Sequence, residues 1–324
     1  MKAAILKKLN QPLQIIQQPN PKSENDREVI NVKYASLNRR DYWITKGLYP
    51  NIKLPVILGS DGVGVREDGE RVVANPGIDW GNNDAFQEKQ FHIKGMPENG
   101  FLAEKCDLLK SQIYPAPHFL TDQECAALPL VGLTAYRSLF NKGCLKSGQK
   151  VLITGAGGGV ASIAIQMAVA AGSKVYCTTS SEYKLERAKA IGAVDGVLYT
   201  EKGWWQRLKE CSKGLDLIID GAGGDDFDKL LDLCNPGGKI IVYGGTQGAY
   251  PPINPAKVFW KQISIIGTTM GSNFDFQKML VYISHHTIRP VIDKEFALEN
   301  INEALEYLGN YDQFGKIIIK IKED

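Results

Sequence analysis

The chain has 324 residues, enough for two domains or for one folded around another. Its composition, 44% apolar and 23% charged with 33 glycines, is that of a globular protein, and a formal net charge of +2 with acids and bases interspersed gives no bulk attraction to nucleic acid or to a membrane surface. No stretch approaches the roughly 18 consecutive apolar residues of a membrane span, and residues 1–19 alternate apolar with polar, so the expectation is a cytoplasmic protein.

Residues 1 to about 120 read as short strands split by turns. The runs AAILKK, LQIIQQP, EVINVKYASL, RVVANP and FLAEKCDLL are separated by Gly, Pro, Asn and Asp, which predicts an irregular β domain. The segment from Pro76 to Gly100, rich in Gly, Asn and Asp, reads as a long surface excursion of the kind that borders a site. The six cysteines stand singly at wide spacings and are expected to be reduced and mostly buried. His92 and His118 are isolated, and the adjacent His285 and His286 point to different sides of a helix, so no histidine is placed for a metal.

From Lys150 the texture changes to apolar strands alternating with amphipathic helices, the pattern of a parallel sheet with helices on both faces. The predicted strands are Val151–Thr154, Lys174–Thr178, Leu215–Asp220 and Lys239–Gly244, with helices beginning near Gly159, Ser181, Gly203 and Asp226. A further apolar run covers Ile263–Gly267, residues 274–308 read as two helices, and a final strand spans Lys316–Ile321.

The stretch VLITGAGGGVASIAIQMA, from Val151 to Ala168, runs from a strand through glycines straight into a helix. Gly155 lets the chain leave the strand tightly. Gly157, Gly158 and Gly159 let bare backbone approach a pyrophosphate whose charge is met by the helix N-terminus, with Val160 and Ala161 in the first turn and Ala161 keeping helix and strand close. The second strand ends Thr178-Thr179-Ser180-Ser181, where an NAD-binding chain usually presents a carboxylate to the ribose hydroxyls. Small hydroxyls at Thr179 and Ser180 leave room for a 2′-phosphate that Lys184 can neutralise, which favours NADPH. Two alternatives stay open: the hydroxyls cap the next helix, or Glu182 takes the carboxylate role and shifts preference toward NADH. Gly221, Gly244 and Thr268 follow successive strands, where backbone is expected to lie near a ligand in this architecture.

Six segments carry a resemblance: Asn38-Arg-Arg-Asp41 with Gly47-Leu-Tyr-Pro50, Leu54-Pro-Val-Ile-Leu-Gly-Ser-Asp61, Ala127-Leu-Pro-Leu-Val-Gly-Leu-Thr-Ala-Tyr136, the glycine turn, and Phe314-Gly-Lys-Ile317. Along essentially its whole length the chain resembles the medium-chain dehydrogenase/reductase superfamily, in the zinc-independent branch that includes quinone oxidoreductases and ζ-crystallin. The resemblance implies an α/β architecture: a GroES-like β catalytic domain (1–121), a Rossmann doubly wound parallel-sheet domain that binds NADPH (122–270), and a C-terminal segment (271–324) returning to the catalytic domain, with the active cleft between domains. Zinc-dependent relatives carry cysteine at the position of Asn38 and a His-Glu pair at Ser60-Asp61. An amide and a hydroxyl are poor zinc ligands, and residues 77–100 contain none of the four cysteines of the second zinc lobe, so no metal is expected.

Without a metal, hydrogen bonds must polarise the substrate. The resemblance makes Asn38, Asp41 and Tyr49 the catalytic candidates, with a turn or ion-pair role as the alternative for Asp41 and a turn aromatic for Tyr49. It places Thr134 beside the nicotinamide, Lys184 and Tyr199 at the 2′-phosphate, and Lys316 within reach of the cofactor. The implied activity is hydride transfer from NADPH to a quinone or an α,β-unsaturated carbonyl. An alcohol or aldehyde dehydrogenase is the alternative enzyme, and an NADPH-binding sensor or structural protein the alternative outside catalysis. The implied assembly is a homodimer formed through the run Gln262–Gly267.

Overall fold

The computed structural model describes residues 1–23 and 26–322. It divides into two compact units, one made of Met1–Leu133 with the chain from Gly271 onward and the other of Thr134–Met270. The first opens with strands β1 (Lys2–Leu6), β2 (Gln14–Gln17) and β3 (Arg27–Ser36), followed by helix α1 (Arg39–Thr45). Strands β4 (Val56–Ile57), β5 (Asp61–Val65), β6 (Arg71–Ala74), β7 (Gly77–Ile78), β8 (His92–Ile93), β9 (Lys105–Leu109) and β10 (Ile113–Pro115) come next, then helices α2 (Asp122–Ala127) and α3 (Pro129–Tyr136). A reciprocal cap starts α2: Glu124 N donates to the Thr121 hydroxyl at 3.2 Å, and Thr121 N donates to the Glu124 carboxylate at 2.8 Å. Because α2 buries Cys125, Ala126 and Ala127 against β3 and β5, the boundary expected at 121/122 lies at 133/134 instead.

The second unit alternates β11 (Lys150–Ile153), α4 (Gly159–Ala170), β12 (Lys174–Thr179), α5 (Glu182–Ala190), β13 (Asp195–Leu198), α6 (Trp204–Ser212), β14 (Leu215–Asp220), α7 (Phe227–Leu233), β15 (Cys234–Val242), α8 (Pro255–Phe259) and β16 (Ser264–Gly267). All six strands are parallel, in the order β13-β12-β11-β14-β15-β16, so the chain starts mid-sheet and winds outward both ways. Helices cover both faces of such a sheet, which is why β11, β12 and β14 are almost continuously apolar and buried. Strand β13, absent from the sequence-based assignment, forms the edge beyond β12.

Past Gly271 the chain forms α9 (Asn273–His286), β17 (Ile292–Ala297), α10 (Ile301–Gly309) and β18 (Lys316–Lys320). The two predicted helices are present, with a strand between them that the sequence did not announce. Burial of Ile301, Ala304, Leu305 and Leu308 gives α10 one apolar face at helical spacing. Strand β18 pairs antiparallel with β3 (Ile318 opposite Ser36) and parallel with β17, and so sits inside the seven-stranded sheet β10-β6-β5-β3-β18-β17, with β9 also on β3. The GroES-like and Rossmann-type folds expected from the sequence are both present.

All six cysteines are free, with Cys106, Cys125, Cys177 and Cys234 buried and Cys144 and Cys211 exposed. Burial pushes the thiols up, Cys106, Cys125 and Cys234 to about 11 and Cys177 to about 12. No helix among the described residues is long and apolar enough to cross a membrane.

The Pro76–Gly100 excursion is fastened by charge. The Lys94 side chain, 2% exposed, lies 3.1 Å from Glu98 and 3.6 Å from Asp107, while Arg27 meets both carboxylates at 2.6 Å and His92 lies 3.2 Å from Glu98. Burial alone would raise the Glu98 carboxyl, but Lys94, Arg27 and His92 together draw it down to about 2. A folded-state pKa below the ordinary 4.5 adds stability that is complete above about pH 4.5 and is lost as the pH falls toward 2. Between pH 7 and pH 3 the loss amounts to about 1–2 kcal/mol after solvent screening. Glu98→Gln should therefore show a smaller drop in urea-unfolding free energy between those two pH values than the parent protein. An equal drop in both would rule out this role for Glu98.

Candidate active site

The carboxyl edge of the parallel sheet carries most of the residues expected to bind a cofactor. Gly155 leaves β11 with φ +67°, a conformation that disfavours any side chain, and its N–H donates to Thr178 Oγ1 at 3.3 Å. Ala156 N donates to Thr178 O at 2.9 Å, Gly157 is buried in the turn, and Gly158 N closes back on Gly155 O at 2.9 Å. Gly158 is then the N-cap of α4, Gly159 and Val160 begin the helix, and Ala161 is buried against the sheet. A Cβ at Gly155 would meet nothing within 4 Å, and one at Gly158 only Gly155 O at 3.4 Å. Packing thus does not demand a glycine at Gly158, and the turn leaves space over the first N–H groups of α4, where an anion gains both hydrogen bonds and the helix dipole.

Strand β12 ends with Thr179, whose hydroxyl is buried without a hydrogen-bond partner. Such an orphan costs free energy unless something meets it. Ser180 follows, half-buried, and Ser181 caps α5 by accepting from Lys184 N at 3.4 Å. Capping therefore uses Ser181 and leaves Thr179 and Ser180 uninvolved. Lys184 is buried in that first turn, Glu182 is exposed, and Tyr199 donates its N–H to Thr179 O at 3.0 Å while its ring stays exposed. Thr179, Ser180, Lys184 and Tyr199 are thus gathered at one end of the sheet.

Thr268, just beyond β16, donates its N–H to Val242 O at 2.9 Å and holds a second buried hydroxyl with no partner. At Gly221 a Cβ would lie 2.3 Å from the Tyr243 ring, so packing within the protein by itself calls for a glycine there. At Gly244 a Cβ would meet Gly221 O at 3.1 Å. Thr134 is buried, and its carbonyl accepts from the Ser138 hydroxyl at 2.7 Å. Sequence reading missed Asp220, which ends β14 and accepts from Thr154 Oγ1 at 2.7 Å, Gly223 N at 3.0 Å and Ala222 N at 3.2 Å, pinning the turn that follows. Burial raises its carboxyl, and these hydrogen bonds oppose the rise.

In the first unit, Asn38 stands at the N-cap of α1 in a capping box with Asp41. Its Nδ2 donates to Asp61 Oδ2 at 2.9 Å, and its Oδ1 accepts from Lys316 Nζ at 2.6 Å. Lys316 Nζ also donates to Asp61 Oδ2 at 3.0 Å, and the Lys316 and Asp61 side chains are 4% and 0% exposed. The side chain of Lys316, expected within reach of the cofactor, joins Asn38 and Asp61 in the β core of the first unit. Asp61 further accepts from Leu130 N at 2.9 Å and Ser36 Oγ at 3.4 Å. Asp41 is committed to backbone: Oδ2 accepts from Asn38 N at 2.8 Å and Oδ1 from Gly59 N at 3.3 Å. Burial raises the Asp41 carboxyl, opposed by Arg40 and by those two N–H groups. Its structure is that of a buried helix cap.

Arg40, which the sequence reading passed over, is buried and donates to Ser60 Oγ at 2.6 Å, Lys94 O at 3.0 Å and Met96 O at 3.3 Å. Its guanidinium lies 5.1 Å from the centre of the half-buried Tyr49 ring, a cation–π distance. Tyr49 therefore borders this buried polar cluster. Among the described residues no three His, Cys, Asp or Glu side chains group closely enough to hold a metal ion.

Comparison with known proteins accords with this architecture. A family model described as "Alcohol dehydrogenase GroES-like domain" matches residues 24–118, and one described as "Zinc-binding dehydrogenase" matches residues 159–285. The chain is 32% identical, over 96% of its length and 95% of the relative's, to the zinc-type alcohol dehydrogenase-like protein YogA of Leptosphaeria maculans. Among solved structures, an NAD-dependent alcohol dehydrogenase superposes with a TM-score of 0.93 at 31% identity, covering 99% of this chain and 100% of the other. The quinone oxidoreductase of Thermus thermophilus, solved also in complex with NADPH, gives 0.84 at 27% identity over the same shares of the two chains.

Proposed function

The chain belongs to the medium-chain dehydrogenase/reductase superfamily of oxidoreductases, and from that premise we propose that it transfers hydride from NADPH to a quinone or an α,β-unsaturated carbonyl without a catalytic metal. The observation that carries the cofactor assignment is the end of β12, where Thr179 presents a buried hydroxyl without a partner and no carboxylate stands. When bound, the nicotinamide supplies the hydride. The N–H groups opening α4 hold the pyrophosphate, Thr179, Ser180, Lys184 and Tyr199 hold the 2′-phosphate end, and Thr134 and Thr268 orient the nicotinamide half.

The metal-free reading rests on the donors present. Ser60 Oγ already accepts from Arg40, Asn38 offers an amide, and the Asp61 carboxylate is paired with a buried ammonium. A dication placed there would meet that ammonium at close range, a repulsion the low-dielectric interior amplifies. Asn38 and Tyr49 are left to contact substrate, with Asp41 holding α1. Assembly follows from the edge of the second unit's sheet. Strand β16 pairs on one side only, with β15, and the preceding Phe259 and Trp260 are 58% and 79% exposed. We propose that this edge meets its copy in a homodimer, which also protects it from indiscriminate pairing.

Titration with both dinucleotides should give NADPH the lower Kd by about ten- to a hundredfold, the value of a charge-assisted phosphate contact. Equal affinities, or an NADH preference abolished by Glu182→Ala, reject the assignment. In a panel of quinones, enones and aldehydes followed by NADPH absorbance in the presence of a chelator, quinones and enones should be reduced and elemental analysis should find less than stoichiometric zinc. One tightly held zinc per chain whose removal abolishes turnover would instead establish the alcohol dehydrogenase reading. Light scattering at micromolar concentration should show a dimer, and Ile265→Lys a monomer; a monomeric parent or a fully dimeric variant would exclude this interface.

A further inference from the structure

Among its described residues the first unit holds three buried cations, and they differ in what surrounds them. Lys94 faces two carboxylates, and Arg40 is met by a hydroxyl and two backbone carbonyls. Lys316 is met by one carboxylate oxygen and one amide oxygen, which occupy two of its three N–H donors. That carboxylate oxygen, Asp61 Oδ2, is shared with Asn38 Nδ2 and Ser36 Oγ. The third N–H has no acceptor among the described residues within hydrogen-bonding distance.

Asn38 holds the ammonium from a second side. It stands in a capping box with Asp41, which accepts from Asn38 N at 2.8 Å, and its Oδ1 also accepts from Lys316 Nζ at 2.6 Å. The arrangement fixes the direction of an ammonium while leaving one of its donors open.

We propose that Lys316 is the catalytic electrophile: the open N–H of its ammonium hydrogen-bonds the substrate oxygen on which negative charge develops. This rests on the hydride-transfer reading above and deepens it, because it restricts the acceptor to a compound whose reduction builds an oxyanion. In an enone the hydride brings its electron pair to the β-carbon and forms a C–H bond there. The π pair of the C=C bond shifts to make an enolate, whose oxygen takes the charge, and NADP⁺ remains. Lys316 only donates a hydrogen bond, and a proton from solvent adds to the α-carbon, which balances the reduction. A fixed cation in a water-poor setting stabilises such an oxyanion far better than water does, with no reorganisation at the moment of transfer.

The test uses the whole chain and begins with NADPH binding to the parent protein and turnover of the best acceptor in the panel. Asp61→Asn breaks the ion pair but keeps the ammonium, and should hold kcat within about tenfold. The double variant Lys316→Met with Asp61→Asn removes the cation without leaving a buried carboxylate unpaired, so it should fold, as circular dichroism can verify. It should bind NADPH with Kd unchanged within about twofold while kcat falls about 100- to 1,000-fold, the usual effect of losing an oxyanion donor. Methylamine added to Lys316→Ala should restore part of kcat, which a purely structural lysine would not allow. A folded double variant with kcat within about threefold of the parent overturns the proposal, as do equal losses in Asp61→Asn and the double variant. A parent protein that binds no NADPH or reduces no acceptor overturns the underlying reading, and this proposal with it.

Discussion

A lysine ammonium cannot leave water alone. Removing a charge from solvent costs several kcal/mol unless a carboxylate and hydrogen bonds replace the hydration, and breaking such a pair costs about 3–5 kcal/mol. In this chain the requirement joins three segments distant in sequence: the start of α1 at Asn38, the start of β5 at Asp61, and the start of β18 at Lys316. The insertion of β18 beside β3 is what brings Lys316 to the other two, so the C-terminal segment completes the polar centre of the first unit as well as its sheet. Asp41, Gly59 and Arg40 form the next layer, each fixing backbone around the same point.

What the sequence made legible was local. The glycine turn was readable because strand, glycines and helix are contiguous, and the polar end of β12 because its residues follow that strand directly. Strands β13 and β17 escaped for opposite reasons. The first is four residues, Asp-Gly-Val-Leu, too short and too turn-like to show a period, while the second, Ile-Asp-Lys-Glu-Phe-Ala, is charged enough to pass for a loop. Each is recruited by a neighbouring strand rather than by its own propensity.

The polar centre was only half legible, because its geometry comes from register. Nothing near Lys316 in sequence announces Asn38; the two meet because Ile318 lies opposite Ser36. Asp41 could be read in two ways from the sequence. A carboxylate next to a presumed site invites a chemical role, yet the spacing Asn38-x-x-Asp41 is also that of a helix cap, and the structure uses it as one. Unlike a bound dication, an internal ammonium is single-charged, directional and encoded in the chain.

The buried thiols bear on chemical damage by electrophiles. Electron-poor double bonds alkylate sulfur, and the attacking species is the thiolate rather than the thiol. Cys106, Cys125, Cys177 and Cys234 are both shielded from encounter and held protonated at any physiological pH. Susceptibility to Michael adduct formation is thereby confined to Cys144 and Cys211 at the surface, where an adduct would leave the interior packing of either unit intact.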